Sequence, residues 1–435
     1  MEVIQQILFL ALIGAAGYLL FKRINRLKKN ILLGKKMEVT GPEGARWRNM
    51  FLLAFGQKKM FDKPLVGVLH FFIYIGFFII NIEVLEIVLD GILGTHRLFF
   101  PILGSLYVPL INTFEFLAVA VLAGCVIFLI RRNVLKLKRF HMAEMTSWPK
   151  SDANIILTVE IILMSLFLSM NAADTALQKL NNEHYVTTGS FVFSGLLTGI
   201  FSSWSEGSLV LFERTAWWLH IIGIFAFAVY VTYSKHLHIF MAFPNTYFSR
   251  LSPSGEMHNM PRITQEVQIA LGLASGEGVP ADPERFGAKD VNDLTWKQLM
   301  DAYSCTECGR CTSACPANLT GKKLSPRKIM MDTRDRLDEV GASLEKGGKG
   351  LDDGKSLLGD YITKEELFAC TSCNACVDAC PVNINPLDII LDLRRYVSME
   401  ESATPASWNS MFANLENNGA PWAMPASERE SWMKA

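Results

Sequence analysis

The sequence lacks the usual marks of chemistry on a small-molecule substrate. It has no glycine fingerprint of a dinucleotide-binding unit, no phosphate-binding P-loop and no evident nucleophile paired with a base. It also lacks net charge: 42 Lys and Arg balance 42 Asp and Glu, so nothing points to nucleic acid as a partner. Outside two short clusters the only cysteine is Cys125, which reads as a small packing residue.

Apolar sequence is abundant instead. Half of the chain is hydrophobic, with a mean hydropathy of +0.23, high for a soluble protein. These residues concentrate in five runs: Val3 to Phe21, Leu65 to Leu89, Ser105 to Ile130, Asn154 to Leu177 and Phe212 to Met241. Crossing a hydrocarbon core of about 30 Å takes about 20 helical residues, so each run is a candidate membrane span. The first has no basic stretch before it and no small-residue cleavage site after it, which argues for a retained helix over a secretory signal.

Balanced charge hides an asymmetry. The connection after the first run carries a series of basic residues from Lys22 to Lys63, and the one after the third carries Arg131, Arg132, Lys136, Lys138 and Arg139. Both are expected in the cytoplasm, with the N-terminus outside and everything after Met241 inside, as for a multi-pass protein of the inner membrane. The expected division is a membrane domain over 1–241, a linker over 242–294, a cysteine-containing domain over 295–398 and a tail over 399–435.

The remaining eight cysteines form two identical patterns: Cys305, Cys308, Cys311 and Cys315 before Pro316, and Cys370, Cys373, Cys376 and Cys380 before Pro381. This is the spacing of two-cluster ferredoxins, in which three thiolates wrap one [4Fe-4S] cubane and the proline-followed fourth ligates the other. The expected sets are Cys305, Cys308, Cys311 and Cys380, and Cys370, Cys373, Cys376 and Cys315. Zinc sites usually pair two short Cys-x-x-Cys units, and disulfides do not suit a reducing compartment. Thr295 with Gln298 and Thr363 with Glu366 read as capping boxes before each cysteine loop, and Ser325-Pro326 and Asn385-Pro386 open a helix after each. The fold class expected is all-α: a five-helix transmembrane bundle followed by an α-helical ferredoxin domain.

Ionisable residues inside a membrane are functional candidates by default. His70 lies near the cytoplasmic end of the second run, and His236 and His238 near that of the fifth. Eighteen residues make five whole helical turns, so a continuous helix puts His220 and His238 on one face and turns His236 roughly 160° away. This favours His70 with His238 as ligands of one haem b, and leaves His220 about 27 Å further out for a second. No histidine stands near Ile80 or Asn81 to pair with His220, and His96 is the nearest substitute. Glu83, Glu86 and Glu115, with Asp174, fall in the outer half near Arg97 and Arg214, where they either take protons from a quinol or form interhelical ion pairs.

The membrane half resembles the five-helix cytochrome-b subunit of respiratory nitrate reductases, whose histidines on the second and fifth helices hold two haems. His70, His220 and His238 match three of those ligands, and Ile80 stands at the fourth. The stretch from Ser234-Lys-His-Leu-His through Leu294-Thr-Trp-Lys-Gln and Cys305-Thr-Glu-Cys-Gly-Arg-Cys to Gly321-Lys-Lys-Leu-Ser-Pro is similar to membrane iron-sulfur oxidoreductases related to heterodisulfide reductase and to electron-transfer-flavoprotein:menaquinone oxidoreductases. That resemblance implies electron transfer among menaquinone or ubiquinone, haem b, two [4Fe-4S] clusters and a cytoplasmic partner, substrate chemistry lying on another subunit. The chain holds no Cys-Cys-Gly segment, so the resemblance also implies a separate cysteine-rich CCG-domain subunit, docked on the tail with Trp408, Trp422 and Trp432, and an electron-transfer flavoprotein beyond it. The alternatives are a haem-free membrane-tethered ferredoxin and a redox-sensing membrane protein.

Overall fold

The computed structural model describes residues 2–180, 184–253, 255–275, 285–348 and 350–433. Among the described residues, five helices are long and apolar enough to cross a membrane: α1 (Glu2–Ile31), α2 (Pro64–Leu93), α3 (Tyr107–Leu129), α4 (Trp148–Lys179) and α5 (Glu206–Val231). Among the described residues there is no strand, only the isolated bridges Lys35 with Thr295 and Leu358 with Ile362. Local chemistry sets the helix ends. Pro64 opens α2 in its first turn and Gly94, at φ 73°, closes it in the left-handed region; the Ser205 side chain caps α5 by accepting the Ser208 N–H.

α3 runs through the middle of the bundle, and Ile111, Phe114, Ala118 and Val121 are buried against α2 and α4. Gly76 permits the α2–α3 contact, since a Cβ there would lie 2.6 Å from Val121 Cγ2. Leu65, Phe116, Leu211 and Leu219 point outward and are exposed, an apolar outer face suited to lipid.

Two boundaries differ from those expected. α1 continues beyond Phe21 to Ile31, and its last turns dock on the C-terminal domain. There Arg26 pairs with Glu345 at 3.1 Å, Asn30 donates to Tyr303 Oη at 2.8 Å, and Leu27 joins the core. α5, in contrast, stops at Val231 and does not run to Met241. The cause lies on another helix: Asp152 of α4 accepts the Tyr230 hydroxyl at 2.5 Å, the Ser234 hydroxyl at 2.7 Å and the Lys235 N–H at 3.1 Å, so the chain turns before a new helix, α6 (His238–Tyr247). His220 and His238 therefore sit on different helices, and a shared helical face cannot relate them.

The C-terminal domain is built on α7 (Trp296–Ser304), α8 (Pro326–Glu345), α9 (Lys364–Phe368) and α10 (Pro386–Met399). Both capping boxes form as expected, and Ser325 and Asn385 cap α8 and α10. Leu299, Ile329, Leu337, Leu367, Ile389 and Leu393 make the core. The packed unit starts earlier than 295: Ala288, Val291 and Leu294 are fully buried, and Asp290 pairs with the buried Arg336 at 2.7 Å. In the tail, α11 (Ala406–Asn418) ends at Gly419 in the left-handed region, and Trp408 packs edge-on against Phe368 at 5.1 Å. Trp422 and Trp432 are exposed.

Candidate redox site

The two cysteine loops repeat in backbone as well as in sequence. Glu307 and Gly309 of the first, and Ser372 and Asn374 of the second, all adopt positive φ, at 54°, 71°, 55° and 60°. This double left-handed turn curls each loop around a centre and aims N–H groups inward: Glu307 N donates to Cys305 Sγ and Ser372 N to Cys370 Sγ, each at 3.4 Å. Arg394 braces the second loop by donating to the carbonyls of Leu367 and Cys370.

The two loops lie close together: Cys311 feels the charge of Cys308, Cys305, Cys380 and Cys376, and Cys376 feels that of Cys370, Cys315 and Cys373. Burial pushes the Cys305, Cys376 and Cys380 thiols up to about 12, so thiolates gathered here call for a neighbouring positive charge, as a metal supplies. Among the described residues no three His, Cys, Asp or Glu side chains converge on one ion. A cubane, by contrast, spreads its thiolates over several irons.

One elongated cavity of about 540 Å³ connects this domain with the membrane helices. Cys305, Cys308, Cys311, Cys376 and Cys380 line one end, His70, His236 and His238 the middle, and His220, Ile80 and Asn81 the far part. The His70 and His238 ring centres are 6.5 Å apart. An iron bound between two imidazoles puts the ring centres roughly 6.3 Å apart, with about 2 Å for each metal–nitrogen bond. Each ring is also anchored through Nδ1, by donation to Gln57 Oε1 in His70 and to the Lys235 carbonyl in His238, both at 3.0 Å. Such outer hydrogen bonds fix the orientation of a metal-binding imidazole and turn its Nε2 to the metal. Nearby, Arg132 Nε and Nη2 and Arg139 Nε are buried without a partner, and both side chains line the cavity. Buried N–H groups without an acceptor call for one, and the propionates of a haem are acceptors of the right kind. On these three observations the residues fit a haem b held by His70 and His238. His236 also lines the cavity, 5.5 Å from His238 and 5.7 Å from Phe227 by ring centres.

Lys235 joins the two parts of the site. It bonds the carboxylate of Glu307, inside the first cysteine loop, and Arg334 pairs with the same carboxylate at 2.7 Å. Burial alone would raise the Glu307 pKa, but Arg334 and Lys235 outweigh it and hold the carboxylate below its ordinary value.

The outer residues form a separate cluster beyond the cavity. Arg97 donates to Asp174 at 2.5 and 2.9 Å, to Asn171 at 2.8 Å and to Tyr107 at 3.2 Å. Glu86 accepts from the Phe99 N–H at 2.8 Å and the Tyr107 hydroxyl at 3.0 Å; Glu115 accepts from the N–H groups of Phe193 and Ser194. Glu83 lies 3.9 Å from Arg97 and keeps one oxygen without a partner. Arg214 pairs with its neighbour Glu213 and not with these acids. His96 lies in this cluster, 3.7 Å from Asp174, and does not line the cavity with His220.

Sequence reasoning does not single out Gln57, Arg132, Arg139, Lys235 or Glu307 as site residues. For Lys235 and Glu307 a signal exists, since one precedes His236 and His238 directly and the other lies between Cys305 and Cys308; for Gln57 there is none.

Residues 304–384 match the family model of the 4Fe-4S dicluster domain. The probable iron-sulfur-binding oxidoreductase FadF of Bacillus subtilis is 28% identical over 98% of this chain and 60% of its own length. The EtfAB:quinone oxidoreductase of Syntrophomonas wolfei is 26% identical over 88% of this chain and 53% of its own. One component of the dihydromethanophenazine:CoB–CoM heterodisulfide reductase from Methanosarcina acetivorans is 27% identical over 33% of this chain and 36% of its own length. The chain is related to these iron-sulfur oxidoreductases. It is a membrane protein of the electron-transferring type, and it spans less than two thirds of the length of the first two relatives. No solved structure matches it.

Proposed function

We propose that this chain carries electrons between a quinone in the membrane and a soluble redox partner, by way of a haem b and two [4Fe-4S] clusters. The observation that carries the reading is the one cavity lined both by Cys305, Cys308, Cys311, Cys376 and Cys380 and by the anchored pair His70 and His238. The haem, when bound, supplies a one-electron iron couple. Gln57 and the Lys235 carbonyl would orient its two ligands, Arg132 and Arg139 would neutralise its propionates, and the N–H groups of Glu307 and Ser372 would stabilise cluster thiolate charge. One cluster is assigned to Cys305, Cys308, Cys311 and Cys380, the other to Cys370, Cys373, Cys376 and Cys315.

Both basic connections touch the cluster domain: Lys59 donates to Asp378 O at 3.0 Å and Arg327 to Arg139 O at 2.6 Å. Their positive charge favours the cytoplasmic side of the inner membrane for all three. The name of the Syntrophomonas relative supports quinone as the membrane partner and an electron-transfer flavoprotein as the soluble one. A heterodisulfide-reductase-like CCG domain is the intermediate partner, with the exposed Trp422 and Trp432 offered to it. Of the outer acids Glu83, Glu86 and Glu115, Glu83 has the free oxygen needed to relay a proton towards the Arg97 cluster.

Stopped-flow reoxidation of the dithionite-reduced full chain by a short-chain naphthoquinone tests the reading. Wild type should be reoxidised and His238→Ala should be slowed to the background rate. Equal rates in the two proteins would contradict it.

A further inference from the structure

The far part of the cavity holds two polar groups that electron transfer through His70 and His238 does not use. His220 is 2% exposed, and its Nδ1 is buried without a hydrogen-bond partner. An imidazole nitrogen that carries no proton is an acceptor, so Nδ1 can take a hydrogen bond from a ligand in the cavity. Glu160, one turn before Leu163 on α4, lines the same cavity, and among the described residues no hydrogen bond or ion pair reaches its carboxylate. Around them stand Ile80, Val84, Met164 and Ile224, an apolar lining with few polar points, as small-molecule sites have. A second bis-histidine iron does not fit, because Ile80 fills the α2 position and His96 belongs to the outer cluster.

We infer that this part of the cavity binds the ring of a quinol, one hydroxyl on His220 Nδ1 and the other on Glu160, resting on the quinone-linked reading above. Ile80 lies ten residues beyond His70 on α2, about 15 Å along the helix, so the ring sits in the bilayer interior beside the haem and not at the outer acids. In the oxidising direction, both O–H bonds break. One proton goes to His220 Nδ1 and one to Glu160, and the two electrons would be taken up one at a time by a haem held by His70 and His238, which would supply a one-electron couple towards the clusters. In the reverse direction, the quinone takes back two electrons and the same two protons.

The test is the same reoxidation by short-chain naphthoquinone, with haem counted per chain. Glu160→Gln and His220→Gln should each slow it at least tenfold at unchanged haem content. Ile80→Phe, which narrows the pocket and touches neither polar group, should raise the KM for the naphthoquinone at least fivefold with an unchanged reduced spectrum. Wild-type rates in Glu160→Gln and His220→Gln, or an unchanged KM in Ile80→Phe, would overturn the inference. So would a lower haem count in His220→Gln, which would make His220 an iron ligand. If wild type itself fails to be reoxidised, the quinone-linked reading falls; if it is reoxidised and the variants match it, only the pocket does.

Discussion

Lys235 holds Glu307 and His238 at once. Its ammonium bonds the Glu307 carboxylate inside the first cysteine loop, and its carbonyl accepts the His238 Nδ1–H at 3.0 Å. One residue thus sets both the charge beside the Cys305 cluster and the orientation of a haem ligand. Glu307→Gln removes a negative charge from beside that cluster. Redox-titrated EPR should show the Cys305 cluster rising in potential by roughly 40 mV, about 1 kcal/mol in a one-electron couple. The Cys370 cluster should stay in place; a change confined to it would contradict the link.

Crossed ligation makes a sharper claim. Cys315 lies in sequence with the first loop but within charge range of Cys370 and Cys376. Cys315→Ser should therefore damage the cluster of the second loop, with loss of up to about half the non-haem iron, taking four irons per cubane. Loss of the Cys305 signal alone would reverse the assignment.

Among the histidines, His70→Ala and His238→Ala should each abolish the low-spin haem signal while the clusters persist. His236→Ala should keep it. Gln57→Ala frees the His70 ring without removing a ligand, so haem should remain with a shifted potential. Arg132→Met combined with Arg139→Met should lower haem retention; full occupancy in that double variant would disprove the propionate role.

His258 gives the cluster domain a pH dependence. Asp388 at 3.4 Å and Asp392 at 2.9 Å outweigh burial and hold its pKa up to about 9, with Arg395 and Arg250 also facing the group. Its unfolded value is about 6.5, so the stabilisation is complete below that pH and is lost as pH rises through 9. Thermal unfolding followed by cluster absorbance should shift to lower temperature between about pH 7 and 9.5. His258→Gln should flatten that slope; an unaltered slope would show that His258 does not cause it.

The sequence is most legible where local chemistry decides the structure. The capping residues Thr295, Thr363, Ser325 and Asn385 act on N–H groups within three residues of themselves, and the cysteine spacing is itself the cluster loop. Legibility ends where a distant residue decides. The stop after Val231 depends on Asp152, which lies 82 positions from Ser234, and the Thr-Tyr-Ser run there does not break an apolar pattern by itself. Gln57 acts through a fold that lays it under His70. The outer acids can be read as proton carriers or as ion pairs, and only the placement of Arg97, Tyr107 and the Phe193 N–H shows which oxygens are already bonded.

The proposal that electrons cross this chain through a haem next to two clusters is tested most directly by the visible spectrum of the purified full chain. A dithionite-reduced haem-b α-band is expected at about one haem per chain, together with about eight non-haem irons, four for each of two cubanes. The full iron content without any α-band would contradict the proposal and leave a membrane-tethered ferredoxin.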